Sequence, residues 1–89
     1  MRVVCLYREE KDYTREVEEY LEEINRKFNE AKVEILNPDT EDGDDFATLY
    51  GILEYPSIVA IDDEGKVLQT WKGMPLPRMD EIVYYLKDM

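Results

Sequence analysis

The sequence lacks histidine altogether and contains a single cysteine, Cys5. An internal disulfide needs two thiols, and zinc sites and general bases near neutral pH usually depend on histidine. Long apolar runs are also missing. The opening MRVVCLY is too short for a signal-peptide core or a membrane span. We therefore expect a cytoplasmic protein, and most enzyme classes that work through histidine or paired cysteines are excluded.

Basic residues are outnumbered by acidic ones, 11 against 22, which gives a formal net charge of -11. Such a charge repels the phosphates of nucleic acids and of anionic membranes, so neither is an expected partner. Hydrophobic residues make up 44% of the 89 residues, and aromatic side chains are frequent, with 7 tyrosines. This composition predicts one globular domain over residues 1–89 rather than a disordered acidic segment.

The hydrophobic pattern of the first half predicts a strand, a helix and a second strand. Residues 2–7 are apolar on both faces, which is typical of a central strand in a sheet covered by helices. From about Asp12 to Asn29, apolar residues recur at spacings of three and four, which predicts an amphipathic helix capped by Asp12 or Thr14. Residues 32–37 predict the second strand.

The second half predicts a helix, a hairpin and a last helix. Residues 38–45, PDTEDGDD, are predicted to be a polar loop, and the following DFATLYGI to be a short helix that closes near Gly51. SIVAI and KVLQTW predict two antiparallel strands joined by a turn at Gly65. Pro77 is predicted to open a helix with Met79, Ile82, Val83 and Leu86 on one face. The sheet is therefore mixed, with helices on both faces.

This order of elements, and above all YGILEYPSIVAIDDEGKVLQTWKG at residues 50–73, resembles the thioredoxin-like superfamily over nearly the whole chain. The specific features are Tyr50–Ile52 at the end of a helix, Pro56 before the third strand and Gly73 after the fourth. The resemblance implies a three-layer α/β/α fold, βαβαββα, with a four-stranded mixed sheet in the order 4-3-1-2 and strand 3 antiparallel. It also implies a cis peptide bond between Tyr55 and Pro56.

The residues that carry redox chemistry in that superfamily are absent. Its Cys-x-x-Cys motif aligns with Lys11-Asp12-Tyr13-Thr14, while Cys5 and Ile35 stand where thioredoxins keep a buried acid and the lysine paired with it. Because a thiol in a central strand is usually buried and inert, Cys5 is predicted to be an inaccessible core residue. The resemblance therefore indicates a degenerate, redox-inactive member.

The resemblance also implies a binding groove, because extended peptides lie against the loop before the cis-proline in this superfamily. The corresponding residues are Tyr7, Lys11, Tyr13 and Thr14 on one wall, Glu54, Tyr55 and Pro56 at the floor, and Gly73 and Met74 opposite. Backbone groups and the shape of the fold form such a groove, so it does not need the cysteines. In the alternative, Tyr13 and Tyr55 fold inward, fill the space of the lost disulfide and close the groove.

We interpret the protein as a non-catalytic module that binds a protein, a peptide or a small molecule in this groove, with no cofactor and no metal. The alternative is an enzyme, either a thiol-dependent reductase or a glutathione-transferase-like protein, that uses Cys5 or Thr14. A third hypothesis is a structural subunit whose fold only supports an assembly.

Two further features bear on partners. The acidic run from Asp39 to Asp45 fits a solvated loop better than a calcium loop, because its spacing does not match the EF-hand pattern. Trp71 and the pair Tyr84-Tyr85 should lie mostly in the core, although Tyr84 falls off the apolar face of the last helix. An exposed aromatic patch there would indicate a protein contact or a homodimer.

Overall fold

The computed structural model describes residues 1–28 and 32–86, and its elements follow the predicted order. The elements are β1 (Arg2–Leu6), α1 (Thr14–Lys27), β2 (Glu34–Leu36), α2 (Glu41–Tyr50), β3 (Ser57–Ile61), β4 (Val67–Lys72) and α3 (Met79–Leu86). The strands form one four-stranded sheet in the order β2-β1-β3-β4. β1 is parallel to β2, whereas β3 is antiparallel to both β1 and β4. The predicted fold class is therefore confirmed.

The two middle strands divide the core into two halves. Val3 and Cys5 of β1 lie with Ile58 and Ala60 of β3 in the half that α1 and α3 cover. The next residues along each strand, among them Val4, point to the opposite half, which α2 covers. All of β3 is buried, as is β1 after its first residue, so the run that is apolar on both faces does form the centre of the sheet.

α1 has the predicted amphipathic pattern but begins differently from the prediction. Its buried residues are Val17, Leu21 and Ile24, one or two turns apart. The N-cap position belongs to Tyr13, not to Asp12 or Thr14, and Tyr13 makes no side-chain capping bond. The Thr14 hydroxyl instead accepts the Lys11 N–H at 3.0 Å and so closes the turn that precedes the helix. The predicted end of the helix at Asn29 lies outside the described residues.

The start of α2 corrects a prediction, because the acidic run that was predicted to be a loop forms the first turns of this helix. The helix begins at Glu41, and the Thr40 side chain caps it by accepting the Gly43 N–H at 3.1 Å. Glu41, Asp42 and Asp44 lie in the first turn, where the partial positive charge of the helix N-terminus stabilises carboxylates. Among the described residues, no group of three or more acidic or cysteine side chains is arranged to hold a metal ion.

The apolar face of α3 is confirmed, as is the exposure of Tyr84. Ile82 and Val83 are buried, whereas Tyr84 is 67% exposed. Tyr85 packs edge-on against Trp71 of the edge strand β4, with ring centroids 5.5 Å apart. No helix in the described ranges is both long and apolar enough to cross a membrane.

Gly43 allows a prediction about stability. A Cβ atom at this position would lie 1.9 Å from the carbonyl oxygen of Asn37, in the backbone before α2. Gly43→Ala should therefore lower the free energy of unfolding by about 1–3 kcal/mol, although alanine normally stabilises a helix interior relative to glycine. Urea unfolding measures the change, with the exposed Thr48→Ala in the same helix as the control, expected to be neutral or slightly stabilising. A Gly43→Ala protein as stable as wild type would show that α2 does not lie so close to Asn37.

Burial of Cys5 allows a second prediction. The side chain is 0% exposed, and burial raises the pKa of its thiol to about 12. A thiol reagent should therefore label the native protein at least about a hundredfold more slowly than the protein in denaturant, because only a transiently opened chain reacts. The control is the double variant Cys5→Ala/Thr48→Cys, whose exposed thiol should react at similar rates in both conditions. Equally fast labelling of wild type in both states would contradict the burial.

Candidate functional site

Three segments of the predicted groove meet at one end of the sheet. Leu6, the last residue of β1, pairs with Ser57, the first residue of β3, and Ser57 pairs with Lys72 at the end of β4. The chain that leaves β1, the turn that enters β3 and the chain that leaves β4 therefore lie side by side. We call this region the Pro56 end of the sheet.

The floor of the Pro56 end is connected to the wall behind β4. The Tyr55–Pro56 peptide bond is cis, the geometry that the resemblance implies, and Pro56 is buried. The Pro56 carbonyl accepts the Gly73 N–H at 2.7 Å. Gly73 has a φ of 70°, and a Cβ atom there would lie 2.4 Å from Oε2 of Glu54. The positive φ favours glycine here, and the backbone bond joins Gly73 to Pro56.

The opposite wall is a turn closed by Tyr13 and Thr14. The Arg8 N–H donates to the Tyr13 hydroxyl at 3.0 Å, and the Thr14 hydroxyl donates to the Arg8 carbonyl at 2.6 Å. Because it also accepts the Lys11 N–H, the Thr14 hydroxyl is fully engaged in holding this turn. The Lys11 side chain is exposed beside it.

Arg8 joins the Tyr13 and Thr14 wall to the floor, and sequence reasoning did not find it. Its guanidinium carbon lies 4.8 Å from the centroid of the Tyr55 ring, a cation–π distance, and its Nε donates to Asp39 at 3.0 Å. The hydrogen bond to Asp39 is the main cause that raises the pKa of Arg8 above its ordinary value. The available signal was the position of Arg8 just beyond the central strand, where polar residues of α/β sheets often serve binding.

The two tyrosines that could close the groove are half-buried rather than fully turned inward. Tyr13 packs at the margin of the core half under α1, and Tyr55 at the margin of the half under α2. The Tyr55 hydroxyl donates to the Ile52 carbonyl at 3.4 Å, which directs the ring along the end of α2. Each ring therefore fills part of the space and leaves part of its surface accessible.

Tyr7 contributes little surface, because only 7% of it is exposed. Its hydroxyl donates to Glu18 of α1 at 3.4 Å. Burial, followed by the charge of Glu18, raises the pKa of the Tyr7 phenol to about 12. The Tyr7 ring is thus part of the core beneath α1. Only the Tyr7 backbone contributes to the Pro56 end.

The exposed apolar surface at this end comes instead from Leu53 and Met74. Leu53 is 93% exposed and stands just before Glu54, and Met74, which is 41% exposed, follows Gly73. Leu53 was missed from the sequence, although an apolar residue in the short connection between α2 and Pro56 was the available signal. Both side chains are large and flexible, which suits contact with another apolar side chain.

The backbone of Tyr55 is the most distinctive feature of the Pro56 end. Within the described residues, no hydrogen bond engages the N–H or the C=O of Tyr55, whereas the carbonyl groups of Glu54 and Pro56 on either side are both paired. Backbone groups that stay unpaired in a folded protein are normally satisfied by water or by a ligand. An extended chain that lies alongside Tyr55 could pair with both groups.

Comparisons with known proteins find the fold rather than a close relative. No protein-family model matches the chain, and no curated protein matches its sequence. Among solved structures, thioredoxin 1 from the thermophilic eubacterium Thermosipho africanus matches with a TM-score of 0.66 and 9% identity, over 96% of this chain and 89% of that one.

Two further structures match equally well. A designed protein has a TM-score of 0.67 and 20% identity, over 96% of this chain and 71% of that one. A malarial protein has a TM-score of 0.66 and 8% identity, over 93% of this chain and 89% of that one. Identities this low show the fold alone. The chain therefore has a thioredoxin-like fold with a four-stranded mixed sheet, and its single cysteine leaves it without a Cys-x-x-Cys motif.

Proposed function

We propose that this protein is a non-catalytic binding module that holds an extended peptide segment at the Pro56 end of its sheet. The observation that carries the proposal is the unpaired N–H and C=O of Tyr55 beside the exposed side chains of Leu53 and Met74. Main-chain pairing with Tyr55 supplies affinity for any extended peptide, and contact with the two apolar side chains favours an apolar residue next to it.

The state of the candidate nucleophiles supports a role without catalysis. Cys5 is buried and has a raised pKa, so it presents no thiolate, and dithiol exchange also needs a second thiol to resolve the mixed disulfide. The Thr14 hydroxyl is already bonded to Arg8 and Lys11. The enzyme alternative would have to break one of these arrangements before it could act.

Charge at the site favours a peptide that is neutral or carries mixed charge. Lys11 and Arg8 are cationic groups in a protein of net charge -11, but Arg8 is paired with Asp39 and Glu54 lies at the floor. Because these charges offset one another, the site selects mainly through its backbone groups and apolar contacts, and less through ionic pairing.

Binding at Tyr55 can be followed by amide hydrogen exchange. A peptide selected from a random display library against the folded protein serves as the probe. In the free protein the Tyr55 amide should exchange faster than the Gly73 amide, which is bonded to Pro56, and the bound peptide should slow Tyr55 exchange at least about tenfold. Protection that appears only on α3 or on the acidic start of α2, with Tyr55 unchanged, would mean that the module binds elsewhere.

The apolar contact is tested on the same peptide with two exposed substitutions. Leu53→Ser should weaken binding about tenfold or more, since burial of a leucine side chain contributes about 1.5–3 kcal/mol. Tyr84→Ser, which alters an exposed residue on α3, is the matched control and should leave affinity unchanged. Equal affinity of wild type and Leu53→Ser would remove Leu53 from the site.

The absence of catalysis is tested by insulin reduction with dithiothreitol as the electron donor. The protein should give the same rate as the Cys5→Ser variant and as dithiothreitol alone, because no accessible thiolate is present. Turnover by wild type above the Cys5→Ser rate would contradict the non-catalytic proposal and support the thiol-dependent alternative.

A further inference from the structure

A second concave surface lies along α1, outside the nine residues predicted for the groove. It is an open cleft of about 560 Å³ between α1 and the segment that connects β4 to α3. This volume is within the range of about 300–1,000 Å³ that small ligand clefts occupy. We call it the α1 cleft.

The α1 cleft has an apolar floor. Tyr20 of α1 faces Pro75, Leu76 and Met79 across it. The Tyr20 hydroxyl donates to the carbonyl of Pro77 at 2.8 Å, which fixes the ring between the two sides of the cleft. Because its polar atom is already paired, the ring offers its apolar surface to anything that enters.

The α1 side of the cleft carries three glutamates, Glu16, Glu19 and Glu23, with Lys27 at its far end. Their spacing of three and four residues places them in one line, with about 5–6 Å between neighbouring Cβ atoms. Glu23 is already paired with Arg26 and Lys27. The negative charge that remains available therefore lies at the Glu16 and Glu19 end.

At the Glu16 and Glu19 end, few ion pairs compete with a bound cation. Glu16 has no ion pair in the part of the chain that the structure describes, and Glu19 contacts Arg15 at 3.8 Å. The Arg15 side chain is 94% exposed, and an exposed pair of this length contributes almost nothing that an incoming cation would have to replace. Both carboxylates are therefore available to a ligand.

Two carboxylates at the start of α3, Asp80 and Glu81, lie near Tyr20 but do not line the α1 cleft. Asp80 is paired with Arg78 at 2.8 Å, and Glu81 accepts the Arg78 N–H. The charge that a ligand meets in the cleft is therefore that of the α1 side. A ligand with apolar and positively charged groups close together matches this arrangement.

We propose that the α1 cleft binds a basic peptide segment of a partner protein, with an apolar side chain on Tyr20 and Met79 and arginine or lysine side chains at Glu16 and Glu19. The occupant follows from charge complementarity: a net charge of -11 opposes a second copy of this chain and attracts a cationic segment. The inference does not rest on the groove at Pro56, because the two surfaces share no lining residue.

The probe is a dye-labelled pentapeptide, capped at both ends, in which a leucine lies between two arginines. Binding is measured by fluorescence anisotropy at low and high salt, and its location by chemical-shift changes in the ¹⁵N-labelled protein. We expect shifts centred on Tyr20, Leu76 and Met79, and affinity that falls as salt rises. Peptides with citrulline for arginine, or glycine for leucine, should each bind more weakly.

Two double variants separate the cleft from the general acidity of the protein. Glu16→Gln/Glu19→Gln should weaken binding about three- to tenfold, because it removes two exposed ion pairs with the peptide. Glu18→Gln/Glu22→Gln removes the same charge from the other side of α1, outside the α1 cleft, and should have little effect. All four positions are on one helix, so the two variants match in net charge and in helix propensity.

Several results would overturn the proposal. They are equal weakening by both double variants, no binding of the arginine peptide at millimolar concentration, and peptide-induced shifts centred on Leu53 and Tyr55. Concentration-dependent shifts of Tyr20 and Met79 without peptide would assign the α1 cleft to a second copy of the chain instead. Leu53→Ser alters the groove at Pro56 and should leave binding of the arginine peptide unchanged. The two proposals can therefore be tested independently.

Discussion

Helices cover β1 and β3 on both faces, and this double burial is the constraint on which the rest of the structure depends. Each buried residue of these strands must be apolar or fully hydrogen-bonded, because an unpaired polar group there would be costly. Cys5 meets this requirement as a small apolar side chain. Its neighbour across the sheet in β2 is Ile35, which is also uncharged.

A charged group at the position of Cys5 would be costly, because an uncompensated buried charge costs about 3–5 kcal/mol. Cys5 is fully buried, whereas its neighbour Ile35 is 52% exposed. The core therefore packs around an uncharged side chain at this position.

The Pro56 end keeps its shape by means that do not involve redox chemistry. The bond from Gly73 to the Pro56 carbonyl joins β4 to the turn before β3, and the hydroxyls of Tyr13 and Thr14 hold the turn before α1. These contacts are made by backbone groups and by side chains that only position the backbone. A surface built in this way does not depend on cysteines.

Most of the fold could be predicted from the sequence because its periodic segments are strong. β1 and β3 read as short runs that are apolar throughout, and α1 and α3 as stripes at helical spacing. The start of α2 was missed because acidic residues and a glycine resemble a loop, although Thr40 followed by carboxylates is also a helix-start signal. Gly43 is required there by the Asn37 carbonyl, a contact between two segments that no local pattern contains.

The site was predictable only where a local motif fixes it. Pro56 and Gly73 belong to such a motif, and the structure places them in contact through the backbone. The contact between Arg8 and Tyr55 joins the end of β1 to the turn before β3, and Asp39 reaches Arg8 from the segment before α2. Three segments that are distant in the sequence meet there, so only the topology of the sheet reveals the cluster.

Net charge limits the partners of both proposed surfaces. Association of two copies would bring two charges of -11 together, and this repulsion opposes the contact. A cationic partner is instead attracted over a distance of about 10 Å at moderate salt, and this raises its association rate before any contact forms. The groove at Pro56 has offsetting charges and gains least from this attraction. The α1 cleft gains most, because Glu16 has no ion pair among the described residues and Glu19 contacts only the exposed Arg15. Under the two proposals, the acidity of the chain would favour a basic partner over self-association and the α1 cleft as the first point of contact.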